Sequence, residues 1–305
     1  MEESLLETNR RRMVALLTEL TTGPGFSPSP LAGVNFGRAD CGCPRAPVLY
    51  EPSIYIVANG RKTGFIGGRT FVYDPNHYLV LAAPLPFECV TEAGPDGGPM
   101  LGVSVGVSPT VVGDLVVRMD ARRLLEPAEA GCVRATPLDP AMSDAAVRLL
   151  EALRTPVEAD ILGPGIVREI VYRALCGPQG HLLLAMVGRH GNTGQINAAL
   201  QRMHARYAEP FSVSEIASDV GMSVSAFHHQ FKALMASSPV QYLKSVRLHK
   251  ARDLIVNEGT AASVAAASVG YESPSQFSRE FKRFFGATPS EEARRVRAFL
   301  AGSAS

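Results

Sequence analysis

The sequence predicts an α+β chain of two domains, the first rich in β-strands and the second entirely helical. Short apolar runs separated by Gly, Pro, Asn and Asp fill residues 23–137, which is typical of a β-sandwich or barrel. Helical periodicity returns over residues 140–187. Residues 190–305 then contain one small helical motif twice. We therefore predict one domain over residues 1–189 and a second, all-α domain over residues 190–305.

The helical motif of the last third occurs in two copies. Each copy has a short helix, a turn that contains Gly, and a second helix with aromatic residues four positions apart. The matching positions are Ala217 and Ala266, Gly221 and Gly270, Phe227 and Phe277, Phe231 and Phe281, and Pro239 and Pro289. The first two pairs are 49 residues apart and the others 50, so the second turn is predicted to be one residue longer. This is the pattern of a helix-turn-helix, whose second helix enters the major groove of DNA.

Capping residues mark the helix starts of this region. At four places a Ser or Thr stands three positions before a Gln or Glu, an arrangement that satisfies free N–H groups at a helix start. The four pairs are Ser212 with Glu215, Ser238 with Gln241, Ser273 with Gln276, and Thr288 with Glu291. The second helix of the first copy has no such pair.

A single helix is predicted to connect the two copies, from Pro239 to about Asn257. About 19 residues span roughly 28 Å, close to the roughly 34 Å between successive major-groove faces. Arg247 lies on the apolar side of this helix, and a charge there needs a partner, so we expect an ion pair.

Three further elements are predicted nearer the N-terminus. Leu5–Leu20 has the spacing of an amphipathic helix, and Asn59-Gly60 between two apolar runs indicates a β-hairpin. Gly188–Gly194 is short, polar and glycine-rich, as expected of a linker. The helices over 140–187 have apolar stripes that either pack on the core or form a dimer interface.

The charge is distributed unevenly. Residues 190–305 hold 13 Lys and Arg against 9 Asp and Glu, a net +4, whereas residues 1–189 have a net −3. This favours phosphate contact by the helical domain. The sequence shows no secretory signal and no apolar stretch long enough to cross a membrane, so a cytoplasmic protein is expected. Its five cysteines, Cys132 among them, are expected to be ordinary reduced thiols.

The exposed faces of the second helices supply candidate DNA contacts. In the second copy, Gln276 and Arg279 suit base edges, while Ser273, Ser275 and Lys282 suit phosphates. In the first copy the candidates are Ser223, Ser225, Ala226, His228, His229 and Lys232. Adjacent histidines diverge on a helix, so His228 and His229 favour DNA contact over a metal site.

The β-domain offers a candidate ligand pocket built from aromatic residues. The six candidates are Tyr50, Tyr55, Phe65, Phe71, Tyr73 and Tyr78, each of which either lines a pocket or fills the interior. His77 is the single histidine of residues 1–180, which disfavours a metal-dependent enzyme of the cupin type. We therefore expect no metal, no cofactor and no catalytic site.

The second copy carries the residues of a known signature. Its motif is Ala266-x3-Gly270-Tyr271-x-Ser273-x-Ser275-x-Phe277-Ser278-Arg279-x-Phe281-Lys282-x2-Phe285-Gly286-x2-Pro289. It resembles the signature of AraC/XylS-type transcription regulators, and the resemblance covers about the last hundred residues. More loosely, the N-terminal region resembles the cupin-like sensor barrel, with flanking helices, of one branch of that family. Ser290–Ala293, which precedes Arg294, departs from the family pattern.

The resemblance implies a regulator of transcription that works as a homodimer, binds double-stranded DNA and responds to a small effector, which modulates either DNA binding or the recruitment of RNA polymerase. Whether it activates or represses transcription stays open. A constitutive DNA-binding regulator whose barrel only dimerises remains the alternative. The residues of the sequence do not separate these two possibilities.

Overall fold

The computed structural model describes residues 4–95, 97–119, 133–188 and 192–302, with side chains of the last stretch described over 193–296. The chain forms two compact units, which we call the β unit and the helical unit. The β unit contains Met1–Arg45, Tyr50–Ala83 and Cys89–Gly188, and the helical unit contains Ala46–Leu49, Pro84–Glu88 and Arg189–Ser305. The predicted two-domain α+β class is confirmed.

The short apolar runs become ten strands within the described residues. They are β1 Gly25–Pro28, β2 Val34–Ala39, β3 Cys43–Tyr50, β4 Ser53–Asn59, β5 Arg61–Ile66, β6 Arg69–Tyr73, β7 His77–Leu81, β8 Leu85–Glu92, β9 Met100–Gly106 and β10 Val133–Pro137. One sheet has the order β1-β2-β9-β4-β7-β10 and the other the order β3-β8-β5-β6. The N-terminal region is thus built on two sheets, while its description as cupin-like stays a prediction.

The hairpin predicted at Asn59-Gly60 is wrong. β4 and β5, which these residues join, lie in different sheets. Gly60 adopts a φ of 79°, and a Cβ there would lie 2.7 Å from the carbonyl oxygen of Glu92. The Asn59 amide donates to the carbonyl oxygen of Pro99 at 2.8 Å instead of closing a turn. Asn-Gly supplies the positive φ that a chain reversal requires, and here that reversal passes between sheets.

Within its described residues the β unit contains five helices: α1 Leu5–Leu20, α2 Pro109–Arg118, α3 Pro140–Ala152, α4 Pro156–Cys176 and α5 Gly180–Val187. α1 has the predicted bounds. The apolar stripes of α3 and α4 are buried with one face of the six-stranded sheet, and Leu149, Leu150, Ile170 and Val171 are at most 1% exposed. Core packing therefore accounts for these stripes, and they supply no evidence of a dimer interface.

The helical unit contains seven helices in its described part. They are α6 Asn192–Ala205, α7 Val213–Asp219, α8 Val224–Met235, α9 Pro239–Asn257, α10 Ala262–Ser268, α11 Pro274–Phe285 and α12 Pro289–Gly302. α9 has the predicted bounds. α6 begins at Asn192, so the predicted linker Gly188–Gly194 is too long at its C-terminal end; its residues 189–191 lie outside the described part. Asn192-Thr193-Gly194 forms the first turn of α6, a position in which Gly is tolerated at a cost of about 1 kcal/mol.

No described helix is both long enough and apolar enough to span a membrane.

Candidate functional sites

The two copies of the motif fold into the same helix-turn-helix with turns of unequal length. Four residues separate α7 from α8 and five separate α10 from α11. Both turns contain a glycine in the left-handed region, Gly221 at φ 71° and Gly270 at φ 83°. In each, the N–H after the glycine donates to a helix carbonyl, from Met222 to Ala217 at 2.9 Å and from Tyr271 to Ala266 at 3.0 Å. The predicted extra residue of the second turn is confirmed.

The second helix of the second copy, α11, divides cleanly into two faces. Phe277, Phe281 and Phe285 are at most 9% exposed and pack in the helical core. The opposite face presents four of the predicted contact residues to solvent: Ser275, Gln276, Arg279 and Lys282. The fifth, Ser273, is half-buried, and its hydroxyl accepts the N–H of Gln276 at 3.3 Å as the helix cap. A helix start with free N–H groups and exposed Arg and Lys side chains suits a phosphate-lined groove.

A hydrogen-bonded network orients this face of α11. The Glu280 carboxylate accepts from Lys244 of α9 at 3.0 Å, from the Tyr271 hydroxyl at 2.8 Å and from the Gln276 amide at 3.4 Å. Burial alone would raise the pKa of Glu280, but these three donors hold it below its ordinary value. Burial and the adjacent carboxylate raise the pKa of the Tyr271 phenol, so it stays a donor. The sequence did not single out Glu280, because it lies outside the set of helix positions that we expected to face solvent.

The second helix of the first copy, α8, also separates an apolar from a polar face. Phe227 and Phe231 are fully buried, whereas all six predicted contact residues are exposed. Although this helix has no Gln or Glu at its third position, its start is capped, because Ser223 accepts the N–H of Ala226 at 3.2 Å. Ser225, His228, His229 and Lys232 thus lie on a well-formed helix.

Among the described residues no carboxylate forms the ion pair expected for Arg247. Its guanidinium donates to three backbone carbonyl groups, those of Tyr207 at 2.7 Å, Glu209 at 2.7 Å and Gly270 at 3.3 Å. These carbonyls follow α6 and belong to the second turn, so Arg247 fixes both segments against α9. The prediction was wrong because backbone carbonyls with free acceptor sites take the place of a carboxylate beside this half-buried guanidinium, and sequence does not reveal them.

The six aromatic pocket candidates do not lie together. Tyr50, Tyr55 and Tyr73 form one cluster, with Phe71 stacked on Tyr73 at a ring distance of 5.9 Å. The ring of Phe65 instead packs under the guanidinium of Arg45, 4.1 Å away.

Tyr78 lies on the other face of the six-stranded sheet from Tyr55. It pairs with Ile56 across the β4–β7 ladder, and residues opposite one another share a face. Tyr78 therefore belongs to the core beneath the helices, where burial raises its pKa to about 12. Tyr78 thus does not face the cluster of Tyr50, Tyr55 and Tyr73, and its place in a ligand pocket stays a prediction.

Lys62 lies in the middle of the aromatic cluster. Its ammonium donates to the Tyr50 hydroxyl at 2.8 Å, and the residue is 6% exposed. Sequence reasoning missed it, although one signal was present: Lys62 is the single lysine of residues 1–189. A buried lysine is unusual, because its charge must be compensated in a medium of low polarity.

The described residues contain no group of three or more His, Cys, Asp and Glu side chains placed to hold a metal ion. Within that part of the chain, Cys41, Cys43, Cys89 and Cys176 are free thiols. Cys132 lies outside the described residues.

A β-sheet domain followed by a tandem helix-turn-helix domain defines a class of DNA-binding regulators. Residues 30–182 match the family model described as AraC-type transcriptional regulator N-terminus, and residues 216–295 match the model described as Helix-turn-helix domain. The chain belongs to the AraC-type transcriptional regulators.

Curated relatives match between about a third and a half of the chain. The RCS-specific HTH-type transcriptional activator RclR of Escherichia coli (strain K12) is 34% identical over 103 residues, which is 34% of this chain and 36% of RclR. The probable thc operon regulatory protein of Rhodococcus erythropolis is 31% identical over 106 residues, which is 34% of this chain and 32% of that protein. The chain thus spans about a third of the length of these relatives.

Solved structures of ToxT from Vibrio cholerae share the fold over most of the chain. The wild-type protein with bound unsaturated fatty acid has a TM-score of 0.61 and 12% identity, covering 85% of this chain and 94% of ToxT. A point variant of ToxT in its apo form gives a TM-score of 0.57 and 8% identity, covering 86% of this chain and 97% of the variant. At these identities the likeness concerns the fold alone.

Proposed function

We propose that the protein is a sequence-specific DNA-binding transcription regulator. The observation that carries this proposal is the pair of helix-turn-helix motifs with equivalent turn hydrogen bonds and polar, solvent-facing second helices. One helix, α9, follows the first motif and leads into the second. The net charge of +4 over residues 190–305 favours the polyanionic backbone of DNA.

The roles of the contact residues follow from their chemistry. Arg279 forms a bidentate pair with guanine and Gln276 with adenine, each in the major groove. Ser273, Ser275 and Lys282 contact phosphates and fix the register of α11. The serines, histidines and Lys232 of α8 position the first motif in a second groove.

The test is selection of duplexes from a random library with the full chain, followed by affinity measurements on the enriched site. Arg279→Ala is expected to lose about 1–3 kcal/mol and to relax the preference at one base pair. Lys282→Ala is expected to weaken all duplexes alike and to lower the salt slope by about 1. Arg206→Ala, an exposed arginine that follows α6 and lies outside both motifs, is the control. Absence of any enriched sequence, or an unchanged site for Arg279→Ala, would contradict the proposal.

We further propose that the β unit binds a small effector and alters DNA binding or the recruitment of RNA polymerase. Two observations support this: the fold is shared with ToxT, which has been solved with an unsaturated fatty acid, and Tyr50, Tyr55 and Tyr73 cluster around a buried lysine. The protein acts in the cytoplasm as a homodimer and performs no catalysis under this proposal. In the alternative, the β unit only dimerises; a metabolite screen that changes neither stability nor DNA affinity would favour it.

A further inference from the structure

Lys62 is a buried cation for which the described residues supply no counter-ion. No carboxylate in that part of the chain forms an ion pair with it, and its described hydrogen bond goes to the Tyr50 hydroxyl. The rings of Phe26, Tyr50 and Tyr55 lie 5.5–5.6 Å from its ammonium nitrogen. Ring faces attract a cation, but each contributes only about 0.5–2 kcal/mol, less than the cost of burying an ammonium group.

The titratable groups around Lys62 carry no negative charge that could balance it. Burial raises the pKa values of the Tyr50, Tyr55 and Tyr73 phenols, so they remain protonated. Burial also raises the pKa of the Cys43 thiol, on which Lys62 acts electrostatically. The cluster therefore has one positive charge and several hydroxyl groups but no negative charge.

A second buried hydroxyl group and a thiol lie next to the Tyr50 hydroxyl that contacts Lys62. The Tyr73 hydroxyl donates to that of Tyr50 at 3.3 Å and lies 3.5 Å from the Cys89 sulfur. Together with Lys62 they form a row of polar atoms in otherwise apolar surroundings. Such convergence of a few polar groups in an aromatic environment is typical of a small-molecule site.

Phe26 lies between the aromatic cluster and solvent. It stands on the short edge strand β1 and is 54% exposed, although its ring contacts Tyr50 and Tyr55 edge-on, with ring distances of 5.8 and 5.9 Å. The Phe26 ring also lies 5.6 Å from the Lys62 ammonium, so an exposed ring covers the buried cation. Because Phe26 is exposed and lies on an edge strand, it is the residue past which a ligand would enter the cluster.

We propose that Lys62, with the hydroxyls of Tyr50 and Tyr73, binds the carboxylate of an apolar monocarboxylic acid that enters past Phe26. This inference rests on the proposed effector function and names the chemical class of that effector. A monoanion balances the single charge of Lys62, whereas a phosphate dianion calls for more cationic donors than the cluster holds. The aromatic walls take the apolar body of the ligand and disfavour a polar one.

The first test needs no ligand. If Lys62 has no counter-ion in the ligand-free protein, the Lys62→Met substitution in the full chain removes an uncompensated charge. The thermal stability of this variant should then equal or exceed that of the wild type. Arg61→Met, an exposed neighbour on the same strand, controls for the loss of one positive charge. A Lys62→Met protein that unfolds at a lower temperature than the wild type, or fails to fold, shows that the ammonium stabilises the empty fold and overturns the proposal.

The second test uses sodium benzoate, cinnamate, decanoate and oleate, each beside its primary amide, with thermal unfolding and calorimetry of the full chain. At least one carboxylate is expected to stabilise the wild type while its amide does not. Lys62→Met is expected to lose about tenfold or more in affinity, because a hydrogen bond to a charged group is lost. Lys62→Arg and Arg61→Met should keep the response. No stabilisation by any carboxylate, or an equal response of Lys62→Met, overturns the inference.

Measurements of DNA binding distinguish a failure of the proposed effector class from a failure of the proposed DNA-binding function. The wild-type protein is expected to bind the selected duplex in the absence of carboxylate, with Arg61→Met of equal affinity. If it does so and no carboxylate binds, the effector class is wrong while DNA binding stands. If carboxylate binds through Lys62 but no duplex is ever enriched, the proposed function fails and the ligand site remains.

Discussion

The carboxylate of Glu292, in α12, is 1% exposed and lies 2.7 Å from the guanidinium of Arg252, in α9. Arg252 also covers the ring of Phe285, 5.6 Å away. A second arginine, Arg295, approaches the other carboxylate oxygen at 3.0 Å, but its orientation leaves that oxygen without a hydrogen bond, so we treat this approach as a charge contact only. The pair joins the last helix to the connector helix, and Glu292 lies within Ser290–Ala293, where the sequence departs from the family pattern.

Glu292→Ala is therefore expected to destabilise the helical unit. Loss of a buried partner costs about 3–5 kcal/mol, which partial exposure of Arg252 reduces to about 2 kcal/mol. Urea unfolding followed by circular dichroism measures the difference. Arg295→Met, at the exposed side of the same carboxylate, should change the free energy of unfolding by less than about 1 kcal/mol. Equal effects of the two variants would show that Arg252–Glu292 is not the stabilising contact.

A second prediction concerns the helix ends that follow α8 and α11. Ala236 has a φ of 55° and Gly286 a φ of 77°, so both end their helices in the left-handed region. Only glycine occupies that region without strain. Ala236→Gly is expected to stabilise the protein by about 1 kcal/mol and Gly286→Ala to destabilise it by a similar amount. A Cβ at Gly286 would meet no atom within 4 Å, so this exchange isolates the backbone term. A rise in the unfolding temperature of Ala236→Gly together with a fall for Gly286→Ala would confirm the prediction. Changes in the same direction would contradict it.

A third prediction concerns pH. His249 of α9 is buried against the rings of Phe284 and Phe285, and burial, with Arg252 and Lys250 nearby, lowers its pKa from 6.5 to about 3. The unfolded chain therefore binds the proton more tightly than the folded one. This contribution is fully present above pH 6.5 and is lost as the pH falls from 6.5 toward 3.

At pH 5 the loss amounts to about 2 kcal/mol relative to pH 7. His249→Gln, which carries no titrating group, should lack this part of the pH dependence. The measurement is the urea midpoint of wild type and variant at pH 7 and pH 5. Parallel decreases in both proteins would show that His249 is not responsible.

The helical unit was the more predictable part, and particular residues show why. Ser238-Pro239 and Thr288-Pro289 mark helix starts in the local sequence, so the starts of α9 and α12 follow from capping alone. The partners of Arg247 and Glu292 come from distant segments and were not predictable from spacing. The same holds for Tyr78 and Asn59, since the face or sheet that a strand residue joins depends on pairing. The role proposed for Lys62 depends on Phe26, Tyr50 and Tyr55, which surround it only in the folded chain.

The last prediction concerns specificity and rests on the proposed DNA binding. Glu280 accepts one N–H of the Gln276 amide at 3.4 Å, and the amide oxygen and the second N–H are the groups that a bidentate pair with adenine uses. Glu280→Ala frees that amide and removes the partner of Lys244 and Tyr271. We expect the preference at the base pair read by Gln276 to fall by about 1 kcal/mol, about fivefold, with an unchanged salt slope.

The measurement is competition between the selected duplex and its single base-pair variants, at two salt concentrations. Glu280→Gln keeps an acceptor for Tyr271 and should retain more of the preference. Lys282→Ala is the matched control, because loss of a phosphate contact lowers affinity for every duplex and reduces the salt slope by about 1. If Glu280→Ala instead weakened all duplexes equally, Glu280 would support the fold of α11 without setting the orientation of Gln276.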